Sequence, residues 1–394
     1  MSGDLVFLLV FLLIVASFVH GDFAITVAYL FVGIFFVGRL WVQQTSKSLH
    51  CERRLEPHAF WGEEIPVRLA IKNPSILPIP WLRLYESLPV NLTAGESITR
   101  VVSLGPREQV DIEYTLRARK RGYYPIGPLF TSQGDMFGLI DAQESEAAPS
   151  YLTVYPRIIP LTKIKLPSRS PLGTLRHTQK IFEDPTRVLS KRDYVTGDSL
   201  RRVDWKSTAT VGRLQVKQFE PSIALEVSLF LNLNATEYPA KSQVDATELA
   251  IVIAASLANW VVSQKQTVGL VTNGVSVANK KSMQPILPGK GRAHLMRILE
   301  TLAQVQKQEN IPLVEMLQKH GPSLSWGTTL VVITGGADEL VFDEIFRAQR
   351  RGQSVVLIIS GRTANVREMK QRAEYFNLPF HAFQDEDDLT LWRQ

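Results

Sequence analysis

Residues 225–233 read LEVSLFLNL. The run is short, aliphatic and almost free of polar interruption. A strand covered on one face alternates apolar and polar residues, whereas a strand covered on both faces is apolar nearly throughout. The same pattern returns at Thr267–Thr272 (TVGLVT), Thr328–Thr334 (TTLVVIT) and Gln353–Ile359 (QSVVLII). Between these runs the period changes to that of helices, over Val244–Ser263, Gly291–Ala303, Ile311–Lys319 and Ala337–Arg350. Strands alternating with helices predict a mainly parallel sheet with helices on both faces, an α/β domain over 221–394. Ligands of such sheets bind beyond the C-terminal strand ends.

Upstream, over residues 44–156, the helical period is missing. Short alternating runs occur at Ile65–Ile71, Trp81–Tyr85, Ile98–Val102, Val110–Leu116 and Tyr151–Tyr155. Turn residues separate them, with Asn73-Pro74 and Leu77-Pro78-Ile79-Pro80 as loop punctuation. This predicts an immunoglobulin-like β-sandwich that serves as a spacer or interaction module.

Two uncharged runs open the chain, Leu5–Val19 and Phe23–Gly38, separated by His20-Gly21-Asp22. Each is slightly short of a full span, and flanking residues such as Leu40, Trp41 and Val42 extend them. A signal peptide fits poorly, because Met1-Ser2-Gly3-Asp4 has no basic residue and a second apolar run follows at once. The expectation is a transmembrane helical hairpin over 1–43 in an inner (plasma) membrane, with Trp41 as interfacial anchor. Arg39, Lys47, Arg53 and Arg54 follow the second run, so the positive-inside rule puts the body in the cytoplasm.

The net charge of +6 is unevenly placed. Residues 157–220 hold 14 basic and 6 acidic residues, which accounts for the whole excess. One cysteine, Cys51, excludes an intramolecular disulfide and any Cys-rich metal site. No helix-turn-helix, zinc finger or aromatic RNA-binding strand accompanies the basic segment, so nucleic acid is not expected as a partner.

Within the basic segment stands Arg192-x-Tyr194-x-x-Gly197-Asp198-x-x-Arg201-x-x-Asp204-Trp205-Lys206, followed by Arg213-Leu214 and Lys217-x-Phe219-Glu220. This pattern resembles the signature of the DUF58 family. Arg119-Lys120-Arg121-Gly122-Tyr123, Gly127-Pro128, Asp135-Met136-Phe137-Gly138-Leu139 and Val154-Tyr155-Pro156 extend the resemblance. From the residues alone, Asp198 and Asp204 among Arg192, Arg201, Arg202 and Lys206 suggest an ion-pair network, with Trp205 offering a face to bury. The network would pin a basic linker, 157–220, against the next domain. Alternatively, the excess positive charge grips an acidic partner.

The resemblance also implies a C-terminal domain similar to the von Willebrand factor A fold, a Rossmann-type α/β architecture. There an aspartate-x-serine-x-serine strand end, with a later threonine and aspartate, holds a divalent metal. Here the matching positions are Asn232, Asn234 and Thr236, with Thr334 ahead of Gly335-Gly336. Two anionic ligands are missing, and Mg²⁺ or Ca²⁺ favours charged oxygen ligands. The expectation is no metal and no cofactor. Pro288-Gly289-Lys290-Gly291-Arg292 lacks the spacing of a phosphate loop and reads as a basic turn before a helix. His177 and His294 lack metal spacing, and Asp385-Glu386-Asp387-Asp388 reads as a solvated acidic cluster.

No nucleophile–base or acid–base constellation emerges, so no enzyme is expected. The leading reading is a membrane-tethered adaptor or assembly protein acting by protein–protein contact. The family resemblance implies a MoxR-type AAA+ ATPase as partner, and a membrane-bound transglutaminase-like protein as a further one. The alternative is a metal-dependent ligand-binding protein of von Willebrand A type, with Asn232, Asn234, Thr236 and Thr334 as ligands.

Overall fold

The computed structural model describes residues 22–93, 98–136, 142–162, 183–221, 226–309 and 311–392. The chain divides into two compact units. One runs to Arg157 and includes Leu302–Gln304; the other takes the rest from Ile158.

The first unit holds helix α1 (Asp22–Ser48) and ten strands. Strands β1 (His50–Arg54), β3 (Glu64–Lys72) and β6 (Gln109–Arg117) form one sheet; β2 (His58–Ala59), β7 (Gly122–Ile126) and β10 (Ser150–Val154) form another. A third runs in the order β5 (Ile98–Leu104), β4 (Ile79–Glu86), β8 (Leu129–Gln133), β9 (Gln143–Ala147). All five alternating runs seen in the sequence are strands. In β3 the inward set Ile65, Val67, Leu69 and Ile71 is buried, as a period of two requires. One proline position differs from expectation: Pro80, expected in a loop, lies inside β4, while Pro66 lies inside β3 as the run Ile65–Ile71 requires. At Pro66 the strand pairs with β6 alone, because β1 reaches only Arg68–Lys72, so that flank has no ladder to break.

The core of this unit contains one buried ion pair. Arg53 Nε donates to Glu86 Oε1 at 2.6 Å, with the Glu86 side chain 0% exposed. Tyr114 OH donates to the other carboxylate oxygen at 2.6 Å, and Arg53 also reaches Ala148 O and Ser150 Oγ, both at 3.1 Å.

The expected hairpin over 1–43 falls only in part on the described residues. Residues 1–21, with the first apolar run, lie outside them. The second run lies in the single helix α1, which continues past residue 43 to Ser48. Trp41 is not a free anchor either: its Nε1 donates to Pro78 O at 2.8 Å. Thr45 Oγ1 turns back onto the carbonyls of Trp41 and Val42.

The second unit opens, among the described residues, with the hairpin β11 (Glu183–Asp193) and β12 (Gln215–Pro221), which enclose a short helix α2 (Trp205–Val211). Of the expected basic linker 157–220, the described residues from 183 onward form this hairpin. The α/β part follows. Its sheet has the order β16 (Ile286–Gly289), β14 (Thr267–Thr272), β13 (Glu226–Leu231), β18 (Thr329–Thr334), β19 (Ser354–Ser360), β20 (Phe380–Phe383). Counted along the sheet's own strands this is 3-2-1-4-5-6, with every pair parallel except β14–β16. The order reverses between β13 and β18, which makes their C-terminal ends the place for a site.

Helices α3 (Gln243–Ser263), α4 (Arg292–Gln304), α5 (Leu313–His320), α6 (Glu339–Arg350) and α7 (Val366–Tyr375) accompany the sheet. Strands β15 (Val275–Ser276) and β17 (Val305–Gln306) pair separately. Among the described residues, α3 is the helix identified as long and apolar enough to cross a membrane, and most of it is buried. That burial makes it a core helix, apolar all round because protein surrounds it.

Candidate functional site

Two places in the second unit hold the residues singled out in the sequence. The first is the signature hairpin. Arg192 forks onto Asp198, with its two terminal nitrogens at 2.7 Å from the two carboxylate oxygens. Asp198 Oδ2 also accepts from Val195 N at 3.0 Å, which closes the turn containing Gly197 at φ +111°. Tyr194 N donates to Leu214 O across the hairpin at 2.8 Å. Asp204 caps α2 by accepting from Ser207 N at 3.2 Å, and Lys191 Nζ lies 2.9 Å from its other oxygen. Gly212, at φ +73°, ends α2 in the left-handed conformation that glycine adopts without penalty.

The carboxyls respond as these contacts dictate. The Lys191 ammonium, then the Ser207 amide, hold Asp204 down from 3.8 to about 2. Hydrogen bonds from Arg192 and then from Val195 N hold Asp198 below the ordinary range.

The expected network is thus half right. Asp198 pairs with Arg192, but Asp204 pairs with Lys191, which the motif did not single out. Arg201 and Lys206 point charge at solvent and are exposed. Trp205 is not buried; it is 67% exposed. Val195, Leu200, Val211 and Leu214 are exposed with it. The hairpin therefore exposes several apolar side chains and cations on a frame braced by two ion pairs.

The second place is the strand-end cluster. Asn232 follows β13, and its Nδ2 donates to Thr334 Oγ1 at 2.9 Å, so the two strand ends on either side of the order reversal are joined. Asn232 Oδ1 accepts from Asn234 N at 3.0 Å and from Asn273 Nδ2 at 2.8 Å. Asn234 Oδ1 accepts from Thr236 N at 3.2 Å and Thr236 Oγ1 at 3.0 Å. Thr334 Oγ1 donates to Gly336 O at 2.9 Å.

A residue outside the motif completes the cluster. Glu237 accepts from Asn232 Nδ2 at 2.6 Å and from Leu313 N, the first residue of α5, at 3.1 Å. Burial pushes its carboxyl above the ordinary range, against the Leu313 and Asn232 hydrogen bonds, and Asp338 adds to the rise. Asp338 itself caps α6 by accepting from Val341 N at 3.0 Å.

The amide and hydroxyl oxygens of Asn232, Asn234, Thr236 and Thr334 are engaged with protein donors or with each other. Among the described residues no group of three or more His, Cys, Asp or Glu side chains could hold a metal ion. The donor set of the cluster does not fit a hard divalent cation, which asks for several charged oxygens.

The remaining candidates fall as follows. Gly291, at φ +88°, precedes α4, so Pro288–Arg292 leads from β16 into that helix. His294 meets the carbonyl of Val268 through Nε2 at 2.7 Å, and His177 lies outside the described residues. Asp388 accepts from Gln384 N at 2.7 Å, so the acidic cluster near the C-terminus partly caps its own turn.

Comparison with known proteins follows this geometry. Residues 190–374 match the DUF58 family. The family's description is "Protein of unknown function DUF58", and the match runs from the signature hairpin into α7. The chain is also 23% identical to "Uncharacterized protein YeaD" of Bacillus subtilis (strain 168) over 324 residues, covering 80% of this chain and 76% of the relative. Among solved structures, the CARDB domain of the PF1109 protein from Pyrococcus furiosus is 17% identical with a TM-score of 0.21, covering 27% of this chain and 86% of that one. Proximal thread matrix protein 1 from the mussel byssus is 14% identical with a TM-score of 0.33, covering 44% and 47%.

Proposed function

We propose that this protein is a membrane-tethered, non-enzymatic adaptor or assembly protein that works by binding another protein through its signature hairpin. The supporting observation is the exposed Trp205, set among exposed Val195, Leu200, Val211 and Leu214 and bordered by Arg201 and Lys206. Several large apolar side chains exposed on one small folded element are a feature of interaction sites, and tryptophan and arginine dominate the binding energy of such sites. The ion pairs Arg192–Asp198 and Lys191–Asp204 hold the hairpin in shape before a partner arrives, which lowers the entropic cost of association.

The family resemblance supplies the partner for this reading, a MoxR-type AAA+ ATPase, with a membrane-bound transglutaminase-like protein as a further member of the assembly. The 3-2-1-4-5-6 sheet order with one antiparallel edge supports a domain similar to the von Willebrand A fold, read here as metal-free. Apolar run Phe23–Gly38 within α1 supports anchoring in the inner membrane by two spans, Leu5–Val19 supplying the first, with the body in the cytoplasm.

The test is a binding titration of the full chain in detergent against the purified ATPase. Trp205→Ala and the charge reversals Arg201→Glu and Lys206→Glu should each weaken binding at least tenfold, while the melting temperature stays that of the wild type. Unchanged affinity in all three sinks the reading. Membrane topology is read independently, from reporter fusions at the C-terminus.

A further inference from the structure

Two turns and the first residues after a strand meet at one end of the first unit. They are the β3–β4 connection, the β5–β6 turn, and Gly134–Met136, which follow β8. Asn73 ties the first two together, its Nδ2 donating to Leu77 O at 2.8 Å and Gly105 O at 2.9 Å. Arg107 N donates to Ser75 O at 3.0 Å. Trp81 Nε1 fastens the third by donating to Asp135 O at 3.0 Å. The Trp41–Pro78 hydrogen bond joins α1 to the same end. Between α1 and the turns lies a cleft of about 550 Å³, walled by Gly33, Ile34, Val37, Pro78, Pro80 and Met136.

The tips of these turns are unusual for solvent-facing loops, which favour small and polar residues. Ile76 is 70% exposed and Met136 is 75% exposed. Arg107 and Arg39 are exposed alongside, so apolar tips and cations occur together.

Position along α1 identifies the partner. The cleft residues Gly33, Ile34 and Val37 belong to the uncharged run, and Arg39 is the first charge beyond it. At 1.5 Å per residue, Gly33 lies about 9 Å short of Arg39 along the helix axis. A spanning helix places its first charge near the headgroup boundary. Pro78, Pro80 and Met136, which face Gly33–Val37 across the cleft, then sit near or below that boundary.

We propose that this end of the sandwich is seated in the surface of an anionic phospholipid bilayer. Ile76 and Met136 enter the acyl boundary, an acyl chain fills the cleft, and Arg107 and Arg39 meet phosphate groups. Burial of about 5–10 Å is the depth typical of interfacial elements. The inference rests on α1 as a membrane segment, and its test separates the two.

Full-length variants on a Cys51→Ser background carry an environment-sensitive fluorophore at Ile76→Cys, Met136→Cys, Phe36→Cys or Val90→Cys. Phe36 is exposed on α1, and exposed Val90 follows β4, which runs away from this end to Glu86. Each is reconstituted in nanodiscs of phosphatidylcholine and phosphatidylglycerol, with and without brominated acyl chains. The expected result is strong bromine quenching at positions 36, 76 and 136 and none at 90. Quenching at 36 alone overturns the seating and leaves the anchor standing. No quenching at 36 overturns the anchor and the seating with it. Shielding of 76 and 136 from aqueous iodide without bromine quenching means a protein covers this face, and overturns the lipid assignment.

Discussion

The guanidinium of Arg192 engages both carboxylate oxygens of Asp198, at 2.7 Å each, across a turn that depends on Gly197. A bidentate fork fixes orientation as well as distance, which a lysine ammonium cannot do. Arg192→Lys and Asp198→Asn should therefore both speed amide hydrogen exchange at Val195 and Asp198. Both groups are at the surface, so the melting temperature should hardly move. Exchange rates equal to wild type in both variants would show that the turn holds without the fork.

Acid should loosen the hairpin before the rest of the second unit. The folded value of Asp204 is depressed to about 2, and Asp198 is lowered as well. A depressed carboxyl stabilises the fold above its unfolded value and loses that contribution as pH falls through the folded one. The window for Asp204 thus runs from near 4 down to about 2. Emission from Trp205, at the start of α2, should report the change there in a variant lacking the other tryptophans.

Glu237 has the opposite sign. Its carboxyl is raised by burial, so its contribution favours the fold at low pH and declines as pH rises through the raised value. Glu237→Ala also strips the acceptor from Leu313 N and Asn232 Nδ2. Each buried donor left without a partner costs about 1–3 kcal/mol. Urea unfolding should show a loss in that range, with Glu237→Gln milder because one acceptor oxygen remains. Equal loss in the two variants would point to the carboxylate itself, and not to packing or the remaining acceptor oxygen, as the cause.

Removing Arg53 should be among the most damaging single changes in the first unit. Glu86 would lose its cationic partner in a site with no exposure, and breaking such a pair costs about 3–5 kcal/mol. Arg53→Met together with Glu86→Leu should cost less than Arg53→Met alone. A double variant as unstable as the sum of the singles would mean the two groups act separately.

Cys51 should be a poor thiol nucleophile in the native protein. Burial pushes it up to about 11, outweighing the neighbouring charge of Arg53. Alkylation at pH 8 should be slow when folded and fast in urea. Fast labelling of the folded chain would contradict the burial.

Legibility followed burial pattern. The five sandwich strands with alternating apolar residues could be read, as could the continuous runs of β13, β14, β18 and β19. β9 could not: its sequence QESEA is exposed along most of its length and joins the sheet only at the β8 edge. β8 buries Thr131 and Gln133, so its inward set looks polar. Helix α7 buries just Met369 and Ala373, too few to mark a stripe.

The strand-end cluster was visible as Asn232, Asn234, Thr236 and Thr334, because the strands could be read and the resemblance to the von Willebrand A motif marked positions at their ends. Glu237 was not, since its partner Leu313 lies 76 residues away and only the fold brings α5 to it. Lys191 escaped for a related reason: hairpin register sets its distance to Asp204.

Helix α3 has a consequence for biosynthesis. Its 21 residues are apolar enough to resemble an anchor, yet they belong inside the α/β unit. During translation, α3 leaves the ribosome before β14, β18 and β19 exist to receive it. On the membrane-tethered reading proposed above, the chain thus exposes an insertion-competent segment close to a bilayer while its shelter is still being made. The nascent protein must be kept from threading α3 into the bilayer, either by rapid docking onto β13 or by a chaperone, and mutations that delay the later strands should give misinserted chains rather than merely unstable ones.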